Sequence, residues 1–118
     1  MTGTCGENLT WTLDDDGTLI FDGTGSVSVR YEMSLRIKKV IVNDGVTTTN
    51  RYAFSECMNL AEITIPDSVE EIGESAFECC SSLKEIKILD NVWRIESGTF
   101  FLLLKLGVRH SSEKFVYD

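Results

Sequence analysis

The chain has 118 residues, of which 42% are hydrophobic and 25% charged, with one proline and a mean hydropathy of −0.02. That is the balance of one globular domain, too short for a two-domain enzyme and unlike a disordered linker or a membrane protein. Eleven lysines and arginines against nineteen aspartates and glutamates give a formal charge of −8; this field repels phosphate backbones and argues against a nucleic-acid partner, and a single histidine leaves little general-base chemistry near neutral pH.

The chain opens MTGTCGENLT, which has neither the basic stretch nor the apolar stretch of a secretory signal. Leu9, Trp11 and Leu13 then alternate with polar residues, as do Leu19 and Phe21, and Asp14-Asp15-Asp16-Gly17 between them is turn chemistry. The pattern predicts a β-hairpin, and residues 1–36 are expected to form an N-terminal cap and connector, with strand character at Val27 to Tyr31. The three carboxylates fail the spacing of a calcium loop, because Thr12 stands where the first aspartate belongs and Gly23 where the closing glutamate belongs. An acidic turn is expected, with no metal and no cofactor.

Downstream the chain repeats. Residues 37–59, 60–82 and 83–105 are three units of 23 residues, aligning Ile37/Leu60/Leu83, Val40/Ile63/Ile86, Val42/Ile65/Ile88, Asp44/Asp67/Asp90, Val46/Val69/Val92 and Phe54/Phe77/Phe100. Alternation puts Val40/Val42, Ile63/Ile65 and Ile86/Ile88 on the inner face of a short strand. Lys39, Ile41, Glu62, Thr64, Glu85 and Lys87 then point outward, together with Asn43, Pro66 and Leu89. Asp-x-Val is expected to turn the chain, and Asn50 and Gly73 share a column suited to a left-handed backbone, replaced by Glu96 and a nearby Gly98 in the third unit. Ala53-Phe54 and Ala76-Phe77 supply a small and a large core residue on the return leg. No unit can bury its apolar column alone, so the units are expected to stack as a short solenoid with strands about 4.8 Å apart. From residue 106 to 118 the repeat has ended, leaving a degenerate tail or cap to the same domain.

Cys57 and Cys80 lie one unit apart, near the lower edge of disulfide geometry, and are read either as a bond or as free thiols filling the core. Cys79 is expected to face away from that column, and Cys5 to meet only the N-terminal cap. A Cys-His hydrolase would need His110 beside one of these thiols, yet His110 sits in the tail sequence RHSSEK with no orienting group in view. Unit two carries Glu62, Asp67, Glu70, Glu71, Glu74 and Glu78 with no lysine or arginine, a step in charge along the stack that either steers a basic partner or only solvates the surface. Phe100, Phe101, Leu102 and Leu104 exceed what the inward columns absorb; they either cover the open end or join two copies as a homodimer.

The run LxxIxIPDSVxxIGxSAFxxCxSL in unit two closely resembles the BspA-like (Treponema pallidum type) leucine-rich repeats of bacterial surface proteins, and CGENLTWTLDDDGTLIFDGTG resembles the hairpin segment that often precedes them. The resemblance covers roughly residues 3–105. It implies a right-handed leucine-rich repeat solenoid of the α/β class, mainly β with short helical turns and a short parallel sheet behind the hairpin cap. It also implies a bacterial protein that is secreted or attached to the cell surface, adhesive toward host matrix or bacterial proteins, and without catalytic residues. The family's cysteine column matches Cys57 and Cys80, while Leu103 stands there in the third unit. The sequence therefore supports a non-enzymatic protein-binding module whose outward strand residues meet a protein partner, without membrane insertion; the alternative is a structural spacer, a piece of a longer array with no specific ligand.

Overall fold

The computed structural model describes residues 1–88 and 94–95. Ten strands follow in chain order: β1 (Thr2–Thr4), β2 (Leu9–Leu13), β3 (Thr18–Gly23), β4 (Gly25–Val27), β5 (Lys39–Val42), β6 (Val46–Thr49), β7 (Glu62–Ile65), β8 (Glu71–Ile72), β9 (Glu85–Ile88) and β10 (Arg94–Ile95). They make a six-stranded sheet in the order β1-β2-β3-β5-β7-β9 and a four-stranded sheet in the order β10-β8-β6-β4.

The expected alternation is visible in burial. Leu9, Trp11 and Leu13 are buried while Thr10 and Thr12 are exposed, so β2 has one apolar face and pairs antiparallel with β3 from Leu9↔Gly23 to Leu13↔Leu19. The turn between them is closed by Asp14, whose Oδ1 accepts hydrogen bonds from the backbone N–H groups of Asp16 (2.9 Å) and Thr18 (3.0 Å). Gly17 takes φ +88 there, a conformation that costs a residue without Cβ nothing. β1, which the sequence reading missed, adds antiparallel to the outer edge of β2.

From β3 onward the pairing is parallel. Lys39, Val40 and Ile41 of β5 pair with Glu62, Ile63 and Thr64 of β7, and β7 pairs with β9 from Glu62↔Glu85 to Ile65↔Ile88, all at the 23-residue interval read from the sequence. The second sheet was not expected. The Asp-x-Val turns form at Asp44-Gly45 and Asp67-Ser68, but Val46–Thr49 and Glu71–Ile72 after them are strands of their own, stacked in parallel between Gly25–Val27 and Arg94–Ile95. The connector thus contributes a shortened unit: β3 meets β5 at an interval of 21 residues (Leu19↔Val40) and β4 meets β6 across a register shift between Gly25 and Ser26. Strand character at Val27 to Tyr31 is corrected accordingly. The strand ends at Val27 and a 3-10 helix occupies Tyr31–Arg36, with Met33 and Ser34 buried and Ser34 Oγ donating to Tyr31 O at 2.9 Å.

The return legs are short turns closed by bonds three residues apart, such as Ala53 N–H to Asn50 O and Ser55 N–H to Tyr52 O, and no helix continues from them. Tyr52 (φ 57), Glu56 (φ 61), Ser75 (φ 53) and Cys79 (φ 62) are left-handed at two equivalent positions of successive units, and a helix cannot pass through such residues. The strain, of order 1–2 kcal/mol per residue, is held by neighbours: Tyr52, Phe54 and Glu56 donate their backbone N–H groups to Glu74 O (2.9 Å), Ala76 O (2.8 Å) and Glu78 O (2.7 Å) in the next unit. Neither Asn50 nor Gly73 is left-handed, a second correction. Gly73 is needed for room: a Cβ on it would lie 2.7 Å from Thr49 O, 2.8 Å from Asn50 C and 2.9 Å from Arg51 N. Its N–H donates to the Thr49 hydroxyl oxygen at 3.1 Å, which satisfies a buried side chain. Pro66, expected to face outward, is buried, because the chain turns inward there and Val69 N–H closes on Pro66 O at 3.1 Å.

Between the sheets and the return legs lies the core. Ile37, Leu60 and Leu83 form one buried column, and Phe21, Phe54 and Phe77 a spine. Phe54 stacks on Phe77 (centroids 5.6 Å apart, 8° between planes) and meets Phe21 edge-on at 6.4 Å and 74°. Cys57 and Cys80 are buried free thiols in this core, Cys80 Sγ donating to Phe54 O at 3.0 Å, while Cys79 is exposed and Cys5 Sγ sits 3.5 Å from Ser26 O. Burial pushes the Cys57 and Cys80 thiols from 9.0 up to about 12.

Three outcomes follow from this arrangement. Phe54→Ala should cost about 3–5 kcal/mol and Gly73→Ala about 1–3 kcal/mol, read from guanidinium denaturation midpoints. Iodoacetamide should label Cys79 in the native protein and reach Cys57 and Cys80 only on unfolding, as mass spectrometry of the digested chain would show. A buried thiol keeps its proton between 9.0 and about 12 while the unfolded chain ionises, so stability should fall as pH rises through that window, and a Cys57→Ala/Cys80→Ala variant should lose most of that slope.

Candidate functional site

Because side chains alternate along a strand, the same pairing that buries Val40, Ile63 and Ile86 turns the residues between them outward. The parallel register aligns Lys39 with Glu62 and Glu85 in one row, and Ile41 with Thr64 and Lys87 in the next, so the six residues named from the sequence fall on two adjacent rows of one sheet. Thr64 is exposed, and Lys39, Ile41 and Glu62 are half-buried; the side chains of Glu85 and Lys87 lie outside what is described.

Both rows run further than expected. Thr18 pairs with Lys39 and extends the first row; Ile20 pairs with Ile41, Thr12 with Ile20, and Thr2 with Thr12, so the second row is Thr2-Thr12-Ile20-Ile41-Thr64-Lys87 across all six strands. The alternation of the hairpin carried that signal, since Thr12 and Ile20 lie between its inward residues. What hid it was the interval of 21 residues, which a 23-residue alignment passes over.

The charge step is partly matched across the stack. Lys39 Nζ lies 3.0 Å from Glu62 Oε1 and Arg51 Nε 3.3 Å from Glu74 Oε2, each pair spanning one unit. Such exposed pairs contribute about 0–1 kcal/mol each, so their effect is on surface potential more than on stability. Glu70 and Glu78 are exposed on the same unit.

Cys57 and Cys80 are not poised as hydrolytic nucleophiles. The Cys57 and Cys80 thiols are raised to about 12, the opposite of an activated nucleophile, and His110 lies outside the described residues. Among the described residues no group of three His, Cys, Asp or Glu side chains could hold a metal ion, and no helix is long and apolar enough to cross a membrane. Phe100, Phe101, Leu102 and Leu104, the expected cap or dimer contact, also lie outside the described residues, as do Leu89, Glu96, Gly98, Leu103 and residues 106–118.

The family model described as "BspA type Leucine rich repeat region (6 copies)" matches residues 29–109. Among solved structures the chain is similar to a leucine-rich repeat protein from Eubacterium ventriosum ATCC 27560, at 27% identity and a TM-score of 0.73, over 81% of this chain and 28% of that one. It is also similar to a leucine rich cell surface protein from Faecalibacterium prausnitzii A2-165, at 27% identity and a TM-score of 0.49, over 82% of this chain and 33% of that one. The chain thus spans about a third or less of the length of these two proteins. No curated protein matches it. The match from residue 29 takes in the 3-10 helix as well as the 23-residue units, and the first similarity supports a leucine-rich repeat fold. On these residues the chain belongs to the BspA-type leucine-rich repeat family.

Proposed function

We propose that this chain is a non-enzymatic protein–protein interaction module of a bacterial secreted or cell-surface protein, adhesive to host or bacterial proteins through the six-stranded sheet face. In this reading the units stack as a short right-handed solenoid, and β1–β3 cap its upstream end. Leucine-rich repeat modules generally bind proteins, and they do so on surfaces that strand stacking makes long and continuous. The observation that carries the proposal is the row Thr2-Thr12-Ile20-Ile41-Thr64-Lys87, in register over six strands. Apart from Lys87, the side chains there are threonines and isoleucines, short and β-branched, which cost little entropy to immobilise against a partner. The charged row Thr18-Lys39-Glu62-Glu85 beside it would set orientation.

A direct test immobilises the protein and offers purified host matrix proteins and bacterial surface proteins in turn. One of them should be retained, and Ile41→Asp or Thr64→Arg should weaken that retention by about tenfold or more. Retention that these substitutions leave unchanged would move the binding surface elsewhere. Retention of none of them would favour the spacer.

A further inference from the structure

A second surface lies away from the sheet face. Tyr31, Leu35 and Met58 are 76%, 55% and 43% exposed, three of the five large apolar side chains exposed among the described residues. All three line one groove of about 210 Å³ between the 3-10 helix and the loop that follows Glu56. The other lining residues are Glu32, Glu56 and the buried Ser34, so the groove has two carboxylates and no cation in its walls. Arg30 stands outside it, with Nε 3.7 Å from Glu32 Oε2 in an exposed pair.

Both walls are held in place. The Asn59 Nδ2 amide donates to Leu35 O at 2.7 Å, tying the loop to the 3-10 helix, and Glu56 is fixed in its left-handed conformation by the bond from its N–H to Glu78 O. Leu35, Met58 and Ser81 occupy one position of successive 23-residue intervals, so Ser81 interrupts the apolar column one unit beyond Met58. A groove lined by two aliphatic side chains, an aromatic ring and two carboxylates complements a long side chain that is aliphatic along its stem and positive at its tip. The volume is below the roughly 300–1,000 Å³ of small-molecule sites, which fits a side chain better than a metabolite.

We propose that this groove docks a basic peptide segment of a protein partner, one in which lysine or arginine alternates with large apolar residues: the cation sits between Glu32 and Glu56, and the apolar neighbours cover Tyr31, Leu35 and Met58. The net charge of −8 steers such a segment toward the chain. This site is independent of the sheet face, and either surface would function without the other.

The probe is a fluorescently labelled hexapeptide of alternating phenylalanine and lysine, compared by anisotropy with a counterpart in which glutamate replaces lysine. The lysine peptide should bind the full chain at least about tenfold more tightly, and should shift the Met58 and Leu35 methyl resonances. Glu56→Lys, Glu32→Lys and Met58→Ser should each weaken it severalfold, while Thr64→Arg on the sheet face should leave it unchanged. Circular dichroism checks that each variant folds, and Glu32→Lys, outside the left-handed turn, serves if Glu56→Lys does not. Equal binding of the two peptides, or lysine-peptide binding indifferent to the groove substitutions, overturns the proposal. So does a concentration-dependent dimer that Glu56→Lys abolishes, since the occupant would then be a second copy of the chain.

Discussion

In the repeat units a residue finds its main partner 22 or 23 positions away. Val40 lies beside Ile63 and Ile63 beside Ile86; Thr49 pairs with Ile72; Phe54 N–H reaches Ala76 O. A unit closes its own turns, as Val69 N–H does on Pro66 O, but no unit pairs its own strands and none has enough apolar surface to form a core alone, so sheet and core exist only when units stand in register. That requirement explains the left-handed residues. Tyr52 and Glu56 hold costly backbone angles because the orientation they give each peptide group lets it meet the next unit, and Ser75 and Cys79 repeat those angles one unit on. It also explains Gly73, where the backbones come too close for a side chain.

The same register sets the chemistry of the interior. Side chains at equivalent positions meet their own kind, which turns single phenylalanines into the spine of Phe54 and Phe77 and brings the thiols of Cys57 and Cys80 into one dry column. A thiol in that setting is filler: burial disfavours the thiolate, and with it both nucleophilic attack and metal binding. On the surface, register places Lys39 against Glu62 and Arg51 against Glu74, so part of the acidity of the middle unit is answered by the unit before it. What the stack offers to other molecules is therefore area and charge, arranged in rows by strand pairing.

Much of this was legible beforehand. The 23-residue interval, the inward columns, the hairpin and the outward residues Lys39, Ile41, Glu62 and Thr64 all follow from hydrophobic spacing, since burial acts on side chains and leaves a period in the sequence. The second sheet was missed because β8 is only two residues long and β6 reads Val-Thr-Thr-Thr, too short and too polar to show alternation. The groove beside the 3-10 helix was missed for a different reason: Tyr31, Leu35 and Met58 carry no period that distinguishes an exposed apolar residue from a buried one.

By itself, then, the sequence determined the apolar columns that go inside and the 23-residue length of the units that carry them, because both are written in the spacing of apolar side chains. Only the tertiary structure decided what the backbone does between those residues: turns that carry left-handed residues, a connector that serves as a shortened unit at an interval of 21, and a glycine kept for closeness rather than for its φ. Those outcomes depend on hydrogen bonds between neighbouring units, whose partners are distant in the chain and leave no mark in the composition of either one.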